Sequence, residues 1–487
     1  MPEGRVSGIR SLMLLFVLLL LAFLASCAVG PNYKRPSLAV PQNFRDGPSN
    51  PGTNSLADLP WWQVFRDATL QDLIRMSLTN SYDIRVAITR VEQARAILEQ
   101  NRAAFFPSLN YQGTVSRGKN AGGTTPVSTG GQTVDVFLLA GNASWEVDLW
   151  GRIRRLNESA RAQFLASKEA QRDVLISVIS QVAQAYFELL ALDRQLEIAQ
   201  RTTNSFTESL RIFSQRLQGG IVSRLETARA EAALASTAAT VPDLQRRIII
   251  QENLINVLVG RNPAPVPRNQ TLLQQEVPPE IPAGLPSTLL LRRPDIRQTE
   301  QFLRSANAQV GAAVADFFPR LSLTGLFGQT SPELSAFTSG GANAWSVAAG
   351  LTGPIFQGGR LLGQYRQAQA FREESLLRFQ STVNNAFQEI SNDLTTIRTL
   401  AEVRVHQARA VKANQEAVQV SMQRYTAGRA GYFELLEAQQ QLFPAENSLV
   451  QVQLNQLLAV VQLYRALGGG FGPEEIEVAK KHTPKKP

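Results

Sequence analysis

The chain has 487 residues, 44% of them hydrophobic and 18% charged. That balance excludes a bundle of membrane helices and fits a globular or barrel-forming protein with material for more than one domain. The formal charge of +9 is spread along the chain apart from a tail of Lys480, Lys481, Lys485 and Lys486, which reads as solvated surface, so nucleic acid is set aside as a partner.

Residues 1–26 read as an export signal: Arg5 and Arg10 supply positive charge, Leu12 to Leu24 is apolar, and small residues follow. The apolar run is too short to span a bilayer comfortably. It ends in Leu24-Ala25-Ser26-Cys27, which resembles a lipobox, so Cys27 is the expected acylated N-terminus of the mature protein. Cys27 is the single cysteine, which excludes an intrachain disulfide and a cysteine-based metal cluster. The alternative is a signal cysteine lost on cleavage. Ala28, in place of aspartate, fits sorting to the outer membrane, and segment 27–68 reads as an extended N-terminal arm.

A repeat organises the rest. Asp83-Ile84-Arg85 through Leu109 matches Asp295-Ile296-Arg297 through Leu321 at an offset of 212, and Gly151-Arg152 matches Gly359-Arg360 at 208. Val182, Ala185 and Glu188 match Val383, Ala386 and Glu389 at 201, which reads as a slip of one heptad within a long helix. The first repeat spans 69–267, a linker 268–293, the second repeat 294–470 and a tail 471–487.

Each repeat opens with a helix, Thr69 to Ala104 in the first, which ends at Phe-Phe-Pro because proline disfavours helix in the residue before it. A β-hairpin follows at about 108–149 and 320–354. Leu109, Tyr111, Gly113 and Val115 alternate with Asn110, Gln112, Thr114 and Ser116, as strands require. Helices are then expected over 152–217 and 221–260, and over 357–426 and 430–467. The first carries an apolar seam through Leu175, Val178, Val182, Ala185, Leu189 and Leu192 to Phe213, and at 1.5 Å per residue extends roughly 100 Å. Glycines at Gly219-Gly220 and Gly428 turn each pair. Helices rich in Ala, Gln, Ser and Thr suit a hollow α-barrel, with a solid coiled-coil rod as the other reading.

Four strands, each apolar on one face, have the size and pattern of membrane-crossing β-strands. Four cannot close a barrel, and open edges are untenable in lipid, so several chains must share one barrel of eight, twelve or sixteen strands. Trp145, Trp150, Trp345 and Tyr111 are candidates for an interfacial girdle or for core packing. The expected architecture is mainly α with a membrane β-barrel, in two tandem structural repeats, each a β-hairpin plus long antiparallel helices.

Enzyme chemistry finds no support. Gly113 to Lys119 imitates a phosphate loop, but Asn120 stands where Ser or Thr must meet magnesium. His406 and His482 lack ligand-spaced partners, so no cofactor or metal is expected beyond the lipid on Cys27.

Cys27 through Pro36, Pro60-Trp61-Trp62 with Phe65, Trp145 through Arg152, Leu291-Arg292-Arg293-Pro294-Asp295-Ile296 and Leu467-Gly468-Gly469-Gly470 together resemble the TolC/OprM-type outer-membrane efflux factors, most closely the NodT-like lipoproteins. The resemblance implies a homotrimer with a twelve-stranded β-barrel on a periplasmic α-barrel, in outer-membrane lipid. It implies a passive duct served by a periplasmic adaptor and an inner-membrane transporter, of the RND type for efflux. It also implies a periplasmic gate with acidic rings at Glu434 and Glu437, where relatives carry Asp. Their spacing puts both on one helix face, and a solvated helix face is the plainer reading. Phe433 is expected to add an apolar constriction and Tyr425 to latch neighbouring helices. Gly219, Gly220, Gly428 and Arg429 resemble the tips that touch the adaptor, although helix termination alone also explains the glycines. Two other roles fit the pattern: a duct for type I protein secretion and a non-conducting periplasmic coiled-coil scaffold.

Overall fold

The computed structural model describes residues 28–38, 40–41, 43–45, 56–119, 133–275, 292–337 and 342–469. The export signal, Cys27, most of the linker 268–293, Gly470 and the tail with His482 lie outside them.

Among the described residues seven long helices and four strands follow in chain order: α1 Ala68–Asn80, α2 Tyr82–Ala103, β1 Ser108–Lys119, β2 Thr133–Val147, α3 Arg152–Gln218, α4 Arg224–Leu258, α5 Pro294–Ala315, β3 Arg320–Ser331, β4 Asn343–Thr352, α6 Arg360–Thr426 and α7 Tyr432–Ala466. The repeat is visible in their lengths. Both α2 and α5 have 22 residues, α3 and α6 have 67, and α4 and α7 have 35.

Those lengths correct one expectation. From Arg152–Gln218 to Arg360–Thr426 the offset is 208 at both ends, which leaves no place for a seven-residue slip. At that offset Leu175, Val178 and Val182 coincide with Val383, Ala386 and Ile390, and all six are buried. The match at 201 arises because a heptad shift brings similar residues back to the same helix face.

A second expectation also changes. The helix foreseen from Thr69 to Ala104 is broken at Ser81, whose backbone turns to φ −54° and ψ 130°. Asn80 and Ser81 belong to the residues that trade helical hydrogen bonds for local ones. Gly260, at φ +71°, comes so close that a Cβ there would lie 2.6 Å from the Asn80 carbonyl oxygen. The returning helices also start later than expected, because Ser223 and Gly431 hold extended N-cap positions; Ser223 forms a capping box with Glu226.

The chain divides into two compact units. One gathers residues 1–37, 91–167 and 298–379, and the other 38–90, 168–297 and 380–487. The second holds the main core, in which the α3 seam (Leu175, Val178, Val182, Leu189) packs with Leu70 and Ile74 of α1, Ile255 of α4, and Val461 and Tyr464 of α7. Burying a side chain of this size is worth roughly 1.5–3 kcal/mol. Part of α3 is apolar enough to cross a membrane by composition, but that stretch is mostly buried within the chain.

In the first unit the strands form one antiparallel sheet in the order β1-β2-β3-β4. Among the described residues β1 pairs only with β2, and β4 only with β3. Both edges of the sheet are open.

Candidate functional site

The sheet has two chemically different faces. The registers Tyr111↔Gly141↔Phe327↔Trp345 and Leu109↔Ala143↔Gly325↔Val347 put Leu109, Tyr111, Leu139, Trp145, Leu323, Phe327, Trp345, Val347 and Leu351 on one side. The other side carries Asn110, Gln112, Thr114, Asn142, Ser144, Ser322, Thr324 and Ser346, with Val136, Leu138 and Leu326 among them. On the apolar side Tyr111 is 89% exposed, Leu109 80%, Val347 80% and Trp345 75%. Such residues each forgo roughly 1.5–3 kcal/mol in water, so together they match the whole stability of a typical domain. A sheet built this way belongs in hydrocarbon.

The junction below the sheet explains the Trp145 to Arg152 motif. Trp145 Nε1 donates to the Phe105 carbonyl at 3.0 Å, and Trp150 Nε1 donates to the Pro319 carbonyl at 2.8 Å. Trp150 also stacks on Phe318 at 4.7 Å. These two indoles tie together the connections at the root of the sheet, whereas Tyr111 and Trp345 are exposed. Glu146 holds Arg152 through two hydrogen bonds, and Asp148 accepts from the Ile153 and Arg154 amides, capping α3. Gly151, at φ +80°, lies where a Cβ would meet the Ala28 Cβ at 2.5 Å. Nearby, the buried Arg155 donates to the carbonyls of Ala28, Val29 and Gly30 and to Asn32 Oδ1. The first residues after Cys27 are thus fastened at the root of the hairpin; Cys27 itself lies outside the described residues.

In the second unit the turns α3–α4 and α6–α7 have the same construction. Ile221 N donates to Arg216 O and Arg429 N to Arg424 O, at 2.9 and 2.8 Å. Gly220 and Gly428 adopt φ +70° and +69° with open space around them, the left-handed helix ending that glycine permits. Gly219, Gly220, Gly428 and Arg429 are all exposed.

Tyr425 is buried, edge-on to Phe213 at 5.3 Å, and Phe213 in turn meets Tyr432 at 4.2 Å. The Arg216 guanidinium lies 4.3 Å from the centre of the Tyr425 ring. Burial raises the Tyr425 pKa against the opposing charge of Arg216, and burial pushes Tyr432 up to about 12. Both phenols are therefore neutral at ordinary pH. The charges at this end come from Glu226, Glu434, Glu437 and the arginines around them.

Glu434 and Glu437 are exposed in the first two turns of α7, near its positive dipole end. Arg424 reaches Glu434 at 3.6 Å, and a shallow cavity is lined by Asn414, Ser421, Arg424, Glu434 and Glu437. Phe433 is 60% exposed, with the Arg229 guanidinium 5.8 Å from its ring. Thus Tyr425, Phe433, Glu434 and Glu437 share one hairpin, but Glu434 and Glu437 line one groove while Phe433 lines another with Phe206 and Phe443. Arg216, Arg229 and Arg424 were missed as partners from the sequence. The repeated Gln-Arg pair before each glycine turn marked Arg216 and Arg424 without saying what either would touch.

The apolar sheet and the helix pairs of matched length have a counterpart among known proteins: the family model for outer membrane efflux proteins matches residues 73–261 and 285–469. The chain belongs to that family. Among its relatives is the toluene efflux pump outer membrane protein TtgC of Pseudomonas putida, 33% identical over 92% of this chain and 93% of TtgC. Another is the cation efflux system protein CusC of Escherichia coli, 31% identical over 92% of this chain and 96% of CusC. The solved open state of the Neisseria gonorrhoeae outer-membrane channel MtrE superposes with a TM-score of 0.81 at 30% identity, covering 91% of this chain and 98% of that one. As a member of the family this chain is an outer-membrane channel of a tripartite efflux system, working with an adaptor and an inner-membrane pump. The family is one of channels and not of enzymes.

Proposed function

We propose that three copies of the chain close a twelve-stranded barrel in the outer membrane, and that the channel is a passive duct for small molecules, gated at the glycine-turn end of the helices. The observation that carries this reading is the four-stranded sheet, open at both edges and apolar on one face. Unpaired edge amides and carbonyls have no water to bond in hydrocarbon, so another chain must satisfy them. Efflux is favoured over protein secretion and over a non-conducting scaffold because the relatives are efflux components. One relative is named for toluene and another for cations, so selectivity is assigned to the pump, of the RND type, and to the adaptor, which the exposed turns at Gly219, Gly220, Gly428 and Arg429 would meet.

Cys27 is proposed to carry the lipid. The fastening of Ala28, Val29 and Gly30 by Arg155 supports it, since acyl chains on the preceding residue would then lie beside the root of the sheet. The gate is proposed at Glu434 and Glu437, where carboxylates from symmetry mates repel one another and attract cations. Phe433 is kept as an apolar contributor and Tyr425 as the latch between helices. The deciding experiment is electrophoresis of outer-membrane extracts in mild detergent. A trimer that collapses to monomer on heating is expected, and a monodisperse monomer before heating overturns the shared barrel.

A further inference from the structure

Within α7, Pro444 lies inside the continuous helix, seven residues beyond Glu437. Proline has no amide hydrogen, so it cannot donate to the carbonyl of Gln440, and its ring crowds that turn. The helix is therefore softest at this point. The structure surrounds it with side-chain hydrogen bonds: Asn447 Nδ2 donates to the Phe443 carbonyl at 2.9 Å, and Gln407 Nε2 of α6 donates to the Ala445 carbonyl at 3.1 Å. Glu446, 5% exposed, takes Arg201 of α3 on one carboxylate oxygen and Gln415 Nε2 of α6 on the other. One buried acid thus joins three helices two residues past the proline.

We infer that Pro444 is a hinge for the tip segment of α7, residues 432–443, and that Glu446 with Arg201 and Gln415 is a brace that holds the hinge in the arrangement seen here. Tip residues Glu434 and Glu437 lie on the movable side, and Arg201 and Gln415 lie on the helices against which it would move. Glu446 and Arg201 are positioning residues: they set how readily the carboxylates shift. The inference rests on the gate reading above. A buried carboxylate deprived of its cation is strongly unfavourable, and the cheapest way for it to regain water is rotation about the nearby joint. Arg201→Met therefore releases the hinge more than Glu446→Gln, which breaks the ion pair without stranding a charge. Pro444→Ala restores the missing hydrogen bond and stiffens the helix. It counters either change.

Two measurements on the full-length protein purified from outer membranes test this. In planar bilayers, Arg201→Met is expected to raise open probability roughly tenfold, Glu446→Gln by less, and Arg201→Lys little. Adding Pro444→Ala to Arg201→Met returns it towards the parent. Retention of the parent's ion selectivity in the open state separates hinge release from a change in pore charge. In parallel, spin labels on Gln215→Cys and Gln440→Cys report the distance between α3 and the tip of α7. The distribution broadens with Arg201→Met and narrows again with Pro444→Ala. An unchanged distribution in Arg201→Met overturns the brace, and broadening that Pro444→Ala does not reverse overturns the hinge. Broadening reversed by Pro444→Ala, with conductance indifferent to Glu434→Ala and Glu437→Ala, supports the hinge and removes the gate from those acids.

Discussion

Arg216 and Arg424 occupy equivalent places in the two repeats, yet Arg216 lies 4.3 Å from the centre of the Tyr425 ring while Arg424 reaches Glu434 at 3.6 Å. Both stand five residues before the amide that closes their turn. The repeat supplies the same cation twice, and the second hairpin uses both, one against an aromatic face and one against an acid. Exposed ion pairs are worth about 0–1 kcal/mol, so the contact at Glu434 is weak enough to exchange. The ring contact, on a buried tyrosine, is the firmer one.

Replacing Glu434 and Glu437 together with alanine removes the repelling charges proposed at the axis and should raise single-channel conductance several-fold while lowering cation preference. Planar-bilayer recording checks both. Conductance and selectivity equal to the parent would remove these acids from the gate.

Glycine matters differently at Gly428 and Gly151. Both have positive φ, but Gly428 is surrounded by open space whereas a Cβ at Gly151 meets Ala28 at 2.5 Å. Gly428→Ala should therefore cost only the backbone strain, roughly 1–2 kcal/mol, with assembly intact. Gly151→Ala should also dislodge the segment that Arg155 fastens. Heating of the detergent-resistant oligomer on gels should show a clearly lower transition for Gly151→Ala than for Gly428→Ala, and equal transitions would contradict the contact.

Asp393 shares a cavity with Asp173, Arg293, Asp295, Glu389 and Arg465. Burial first, and Glu389 second, push its pKa up to about 7 against the pull of Arg293, from an ordinary value of 3.8. The folded chain thus holds this proton more tightly than the unfolded chain. Stability is favoured at low pH and declines as pH rises from about 4 through 7. Asp393→Asn removes the ionisation cost, so its gain in thermal stability should be larger at pH 8 than at pH 5. A gain independent of pH would show that Asp393 ionises as an ordinary carboxylate.

The proposed acylation is tested directly. Cys27→Ser should abolish incorporation of radiolabelled palmitate while the polypeptide is still exported. Labelling that persists would place the lipid elsewhere.

Much of the architecture was written locally in the chain. The alternation of Leu109, Tyr111 and Val115 with polar neighbours, the seam from Leu175 to Phe213, and the turns at Gly220 and Gly428 were legible because strand, helix and left-handed turn each leave a short-range signature. Repetition made the reading firmer, since the same order of elements recurs at offsets of 212 and 208. What periodicity could not resolve was register within a long helix. A heptad shift preserves the apolar face, so the supposed slip at Val182 and Val383 looked as good as the true alignment until both helices proved to have 67 residues.

Only the tertiary structure decided the contacts between distant segments. Arg155 meets Ala28 to Asn32 across more than 120 residues, Arg201 meets Glu446 across 245, and Asp393 shares a cavity with Asp173 and Arg293. A cation and its acid that far apart carry no spacing rule, because their meeting depends on how the helices pack and not on either residue's neighbours. The break at Ser81 is of the same kind: Asn-Ser permits a helix to stop, and Gly260 packs closely against Asn80 at the place where it does. Sequence alone determined the elements and their faces, through backbone geometry that each short stretch carries by itself. Packing determined which charges meet, because burial and distance exist only once the chain is folded.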